Sequence, residues 1–235
     1  MTQHALILAH GQPSDPVPAA AALEALAARV QVLLPGWEIG AATLAEPGAL
    51  ERAVRGRAGG VVFPMFMAGG WFTRVLIPEK LAGAGAGGWA VLEPFGCDPA
   101  VHDLCVTLVR EAGAGRVVIA AHGSFKSPAP SQIALHVAGR IAAETGVAVE
   151  TGFIDQEPRL AVLSGGAGVC LPFFAAGGDH VSVDIPAALA EAGFRGRILP
   201  PVGLDARVPG LIAAAIARGT PVCAGACQWA GGQNP

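Results

Sequence analysis

Charge is scarce in this chain. Asp, Glu, Lys and Arg together make up 14% of the residues, and only two lysines occur, Lys80 and Lys126. With a formal net charge of −3 and no basic block, nothing points to a nucleic-acid partner. Long apolar runs are missing as well. The stretch 61–73 carries Pro64, Gly69 and Gly70 before Arg74, whereas a spanning helix needs roughly 20 apolar residues, so no membrane partner is expected. The start, MTQHALILAH, has no basic leader and no cleavage site, so no secretory signal is read. Five cysteines are an odd number for a disulfide framework and suit a reducing cytoplasm. No G-x-x-x-x-G-K-[ST], no G-x-G-x-x-G after a strand and no G-x-S-x-G elbow occurs, which removes the P-loop, dinucleotide and serine-hydrolase readings. Apolar residues, by contrast, are plentiful. At 52% of 235 residues they supply a large core, in one large domain or two small α/β domains.

Internal repetition is the dominant signal. ALILAHGQ at 5–12 matches VVIAAHGS at 117–124. VVFPMFMAGGWFTRVLIP at 61–78 matches VCLPFFAAGGDHVSVDIP at 169–186, and LEPFGCDPAVHDL at 92–104 matches LPPVGLDARVPGL at 199–211. AEP at 45–47 matches QEP at 156–158. The blocks keep their order, with an offset that stays between 112 and 107 residues. Each copy has one plan. A β-branched run ends in His-Gly (residues 5–9 and 116–121), and an amphipathic helix follows (18–34 and 131–145). A second strand (38–43 and 148–154) leads to a short helix, a third strand (61–66 and 169–174) and a Gly-Gly loop. A helix then opens at Ile77-Pro78 or Ile185-Pro186, where Pro is a start signal. A fourth strand (89–92 and 196–199) and a last helix (99–112 and 208–218) complete the copy. Short apolar strands alternating with helices predict α/β architecture: two similar doubly wound, flavodoxin-like domains, each with a four-stranded parallel sheet flanked by helices. The domains are expected at 1–113 and 114–235, with a cleft between them, and their ligands beyond the carboxyl ends of the strands.

Both His-Gly blocks and both Gly-Gly loops fall at such ends. In the second copy His122 follows the first strand and His180 the third, so two neutral imidazoles can converge on one divalent metal, or one can bind metal while the other moves protons. Asp184 either orients His180 or caps the helix that follows. In the first copy His10 matches His122, but Phe72 stands where His180 would be, preceded by Trp71. A two-histidine site cannot form there. Trp71 and Phe72 either stack on a flat ring or fill a domain interface, and His10 remains a candidate for the cleft. Ser124 and Lys126 follow His122, and Lys126, Arg159 and Arg74 are candidates to receive carboxylates of an acidic substrate. Asp155 and Glu157 end the second strand of copy two, where a carboxylate would assist proton removal; Glu157 matches Glu46, which also fits a repeated structural role. Cys223 and Cys227 have a spacing that would suit a metal, but two thiols are not a full ligand set, and small buried cysteines are the plainer reading.

A-H-G-S after the first strand, F-x-x-x-E-P after the second, L-P-x-F-x-x-G-G-x-H-x-x-x-D-I-P after the third and P-x-G-x-D after the fourth resemble the sirohydrochlorin chelatases. These are the ATP-independent class II chelatases of the cobalamin and siroheme pathways, here in a two-repeat form. D-H-x-x-x-D at 179–184 is also similar to the second-half motif of protoporphyrin ferrochelatase. The resemblance implies a lyase that inserts Co2+ or Fe2+ into sirohydrochlorin or a related tetrapyrrole. His122 and His180 would bind the entering metal and accept pyrrole protons. Ser124, Lys126, Glu157, Asp184, His10 and Phe72 would be substrate-contacting residues. The copy-one sequences A-H-G-Q and G-G-W-F depart from the pattern. No cofactor is expected to be held permanently, since the metal is itself a substrate. The expected partners are the tetrapyrrole and the ion, in the cytoplasm; low charge and high apolar content are compatible with a homodimer. Two other readings compete: a tetrapyrrole or metal carrier that kept the fold without turnover, and an unrelated α/β enzyme using His122 as a base.

Overall fold

The computed structural model describes residues 2–223, 228 and 229; Cys227 lies outside them. The two repeats fold alike. In the first, β1 (Gln3–Ala9), β2 (Trp37–Thr43), β3 (Val61–Pro64) and β4 (Ala90–Val91) form a sheet of order β2-β1-β3-β4. It is interleaved with α1 (Pro16–Leu33), α2 (Ala49–Val54) and α3 (Ile77–Gly83), and α4 (Pro99–Ala112) follows. In the second, β5 (Arg116–Ala121), β6 (Ala148–Phe153), β7 (Val169–Pro172) and β8 (Arg197–Ile198) take the order β6-β5-β7-β8. Their helices are α5 (Ala129–Thr145), α6 (Ile185–Glu191) and α7 (Val208–Arg218). Every strand pair is parallel, and the register repeats: Ala5 opposes Val61 as Val117 opposes Val169. Ala5, Leu6, Ile7 and Leu8 of β1 and Val117 to Ala121 of β5 are buried, as strands covered on both faces must be.

Two differences from the expected plan stand out. The short helix after the second strand forms only in repeat one, as α2; repeat two has a single 3-10 turn, Leu160–Val162. The packing units also differ from the repeats. Among the described residues, one unit comprises 2–95 with 206–223 and the other 96–205 with 228–229. Each repeat's last helix packs in the unit of the other repeat's sheet: α7 lies against α1, and α4 against α5 and β7. Sequence repetition and packing are thus two partitions of the same chain.

By length and mean hydropathy, 1.2 over 18 residues, α1 passes for a membrane-crossing helix, which the expectation of uniformly short apolar runs did not anticipate. The value comes from its valines and leucines together with its alanines. The helix also carries Glu24 and Arg29, and it packs Leu23, Ala27 and Val30 into its unit.

Candidate functional site

Each first strand ends in His-Gly, and the glycine is required by shape. Gly123 has φ +71°, and a Cβ there would come within 2.7 Å of Gln156 Cβ and 3.0 Å of Phe153 Cβ. Gly11, with φ +78°, would meet Thr43 Cβ at 2.7 Å. A side chain would strain the backbone and push the second-strand loop away. The turn leaves His122 projecting at the end of β5, where its Nδ1–H donates to the Gly123 carbonyl at 2.9 Å. A carbonyl only accepts, so in the neutral ring Nε2 keeps its lone pair.

His180 is set by a different device. The Gly-Gly loop runs into a π-helical turn, His180–Asp184, whose first carbonyl accepts from the backbone N–H of Ile185, five residues on. Such widened turns recur at functional sites. This one brings Asp184 Oδ2 to 2.6 Å from His180 Nδ1. Asp184 makes no side-chain cap bond to the helix that follows, so of its two readings the orienting one is realised. With Nδ1–H donated to a carboxylate, the free Nε2 of His180 is again the acceptor.

The two rings meet. Their centroids are 4.9 Å apart at an interplanar angle of 90°. Asp155 Oδ2 lies 3.7 Å from His122 Nε2, and Phe174 lies 6.3 Å from His180, ring to ring. The four polar side chains His122, Asp155, His180 and Asp184 are 44–50% exposed, so an incoming ligand reaches them. Among the described residues no group of three or more His, Cys, Asp or Glu side chains is gathered as a metal cage. The arrangement is therefore a pair of imidazole donors with carboxylates behind and beside them.

The other expected residues are placed as follows. The Ser124 hydroxyl accepts from the Lys126 backbone N–H at 3.1 Å, and the Ser124 N–H donates to Gln156 Oε1 at 3.0 Å, so Ser124 shapes the loop after β5. Lys126 is exposed. Glu157 is exposed and turned toward Arg159, accepting from its backbone N–H at 3.1 Å and pairing with its Nε at 3.6 Å; the carboxylate beside His122 belongs to Asp155. Arg159 also donates to the Ile154 carbonyl and lies 5.6 Å from the ring centre of the exposed Phe125. Glu46, the counterpart of Glu157, pairs with Arg52.

In repeat one His10 is exposed, with its ring centroid 5.1 Å from that of Phe72. Phe72 stacks on Phe66 at 5.7 Å and meets Trp71 edge-on at 5.4 Å. Trp71 is 57% exposed, which fits a stacking surface better than buried filler. A second π-helical turn, Phe72–Leu76, occupies the matching place.

The described cysteines have structural surroundings. Cys97, Cys105 and Cys170 are buried. Burial pushes Cys170 up to about 12 and Cys105 higher, which removes the reactive thiolate. Cys223 is half-buried, and its thiol donates to Glu93 Oε1 at 2.7 Å.

Sequence reasoning passed over His102. It sits on α4 with its Nε2–H donating to the Gly96 carbonyl at 2.9 Å, and its ring lies 5.3 Å from that of His136 and 5.0 Å from Trp229. Burial, opposed by the Gly96 bond and aided by the positive neighbours His136 and Arg140, lowers its pKa to about 4. The available signal was a histidine on the apolar face of a helix.

The CbiX family model matches residues 116–218, inside the second repeat. A solved structure described as CbiX, the terminal enzyme for biosynthesis of siroheme in denitrifying bacteria, is 44% identical, with a TM-score of 0.86 over 92% of this chain and 99% of its own. SirB from Bacillus subtilis with Fe3+ is 16% identical, with a TM-score of 0.73 over 94% of this chain and 96% of its own. The sirohydrochlorin chelatase SirB from Bacillus subtilis subspecies spizizenii with cobalt is 17% identical, at 0.70 over the same shares. At those identities the SirB structures speak for the fold. No curated protein matches the chain.

Proposed function

The chain belongs to the CbiX family, and on that premise we propose that it inserts a divalent metal, Co2+ or Fe2+, into sirohydrochlorin or a closely related tetrapyrrole without nucleotide, in the cytoplasm. The observation that carries the reading is the His122–His180 pair, with ring centroids 4.9 Å apart and each ring's Nδ1 committed to an acceptor. Both Nε2 lone pairs are left for one ion. Two imidazoles make an incomplete shell. A resident structural metal takes a closed set of four ligands, whereas an ion in transit needs open positions for incoming pyrrole nitrogens. That openness also favours turnover over the alternative, a carrier that holds its cargo.

The reaction exchanges one divalent ion for two pyrrole N–H protons. Holding the ion against one face of the ring makes each metal–nitrogen bond an intramolecular event. As the ion passes to the macrocycle, each Nε2 is freed and takes a proton. Asp184 fixes the His180 tautomer and balances its positive charge once protonated. The proton taken by His122 passes on to water by way of Asp155, 3.7 Å from its Nε2. Ser124, Lys126, Glu157, His10 and Phe72 are proposed to contact the macrocycle. Imidazole suits both metals, so the donor set selects neither.

Anaerobic mixing of the purified protein with sirohydrochlorin and Co2+ or Fe2+ tests the reading. The visible spectrum is expected to change faster than in the protein-free control. His122→Ala and His180→Ala are each expected to lower the rate at least about a hundredfold while the far-UV circular dichroism stays native, within the range for a general acid–base group. Binding without acceleration would favour the carrier. If His10→Ala proves the damaging change instead, the site belongs to repeat one.

A further inference from the structure

Arg74 lies on the π-helical turn Phe72–Leu76. Its Nε and Nη2, the two donors along one edge of the guanidinium, are both buried, and neither has a hydrogen-bond partner. Among the described residues it is the only side chain with two such atoms. The matching residue of repeat two is Ser182, an exposed side chain whose hydroxyl donates to the Gly178 carbonyl at 3.1 Å. The two repeats therefore part at this position as sharply as at Phe72 and His180. A guanidinium cannot shed its charge to escape burial, as an ammonium can. A buried donor edge without a protein partner is a standing cost, and a fold keeps such a group where it is used. The free edge has one well-matched complement: two parallel N–H donors fit the two oxygens of a carboxylate. Trp71, 57% exposed, precedes the same turn, and Phe72, stacked on Phe66, opens it, so aromatic side chains accompany the guanidinium fork on this segment.

We infer that Arg74 binds a carboxylate of the tetrapyrrole through Nε–H and Nη2–H, making repeat one the repeat that recognises the substrate's acidic side chains. The inference rests on the tetrapyrrole reading given above. It assigns Arg74 a role in substrate affinity and none in metal binding or proton transfer.

Equilibrium binding of metal-free sirohydrochlorin, followed by fluorescence, is compared in the wild-type protein, Arg74→Met and Arg74→Lys; Co2+ binding and the Tm of the ligand-free proteins are measured alongside. Arg74→Met should weaken the Kd for sirohydrochlorin by roughly tenfold to a hundredfold, the range for a charged hydrogen bond. It should leave Co2+ affinity unchanged and raise Tm by about 2–4 °C, since an apolar side chain relieves the unpaired charge. Arg74→Lys should recover part of the affinity, because a point charge lacks the fork. An unchanged sirohydrochlorin Kd in Arg74→Met overturns the inference and leaves metal insertion standing. A Tm that falls by several degrees with binding intact assigns the guanidinium to the fold and overturns it equally. A wild-type protein that binds Co2+ but no sirohydrochlorin removes the tetrapyrrole reading, and this inference with it.

Discussion

The third strand of each repeat runs into the same loop and the same π-helical turn, yet one turn opens with a histidine and the other with a phenylalanine. The partner at the end of the first strand is a histidine in both. Ring centroids stand 4.9 Å apart for His122 and His180 and 5.1 Å for His10 and Phe72. The ring spacing is thus nearly the same in the two repeats, and the chemistry differs through a few side chains. Where repeat two has Asp179, His180, Ser182 and Asp184, repeat one has Trp71, Phe72, Arg74 and Leu76. A polar, metal-competent set in repeat two corresponds to an aromatic, cationic one in repeat one. The family model matches inside repeat two, as expected if repeat one has kept the scaffold and changed its surface.

The largest effect on this comparison should come from Asp184, the residue that turns a histidine into an oriented ligand. Asp184→Asn keeps the shape but removes the charge, and its amide group can donate to Nδ1 and so favour the wrong tautomer. Carboxylates behind metal-binding histidines are typically worth about ten- to a hundredfold in activity or metal affinity. A loss of that size in turnover, with Tm held, is the expected result. Turnover within twofold of the wild type would mean that His180 is positioned by its loop alone.

Much of this was legible before any coordinates. The matched blocks located the strand ends, because a His-Gly pair after a β-branched run has few other homes; the register, Ala5 opposite Val61 and Val117 opposite Val169, came only with the structure. The convergence of His122 and His180 followed from two neighbouring parallel strands ending on one edge. The π-helical turns were not legible, since a four-residue spacing from His180 to Asp184 reads equally well as ordinary helix. Nor was the choice of Asp155 over Glu157 beside His122: both end the same strand, and only the loop's hydrogen bonds turn Glu157 toward Arg159. The exchange of the final helices escaped because α4 and α7 carry apolar faces that suit either sheet, and partner choice is a tertiary matter.

Those exchanged helices give the next test. His102 on α4 aligns with Pro209 on α7, so only one of the two units buries an imidazole there. In the unfolded chain this group takes a proton near the ordinary 6.5, and in the folded chain only near about 4. Between those values the unfolded state binds more protons, so the stability contribution is complete above about 6.5 and is lost as pH falls toward 4. Near pH 5 the loss is about 2 kcal/mol. His102→Gln can keep a donor for the Gly96 carbonyl and carries no titrating ring. Its Tm should fall less between pH 7 and pH 5 than the wild type's, by about 4–8 °C. Parallel Tm–pH curves for the two proteins would assign the acid sensitivity elsewhere.

The smallest effect is also the most direct challenge to the division between the repeats. If a few side chains separate them, restoring two should restore a second ion site. Phe72→His alone puts an imidazole opposite His10, but with Leu76 behind it nothing fixes the tautomer, so a gain in metal binding should be faint. Phe72→His combined with Leu76→Asp rebuilds the relation in which Asp184 holds His180 at 2.6 Å on an equivalent turn. Co2+ titration of the double variant by calorimetry should show a second, weaker binding event beside the native one, and His10→Ala should erase it without touching the first. The second site should be weaker because the Phe66–Phe72 stack is lost and because Arg74, two residues along, repels the ion. A double variant that folds normally and still binds a single ion would mean that the similar ring spacing is not enough, and that repeat two owes its site to more than the residues exchanged here.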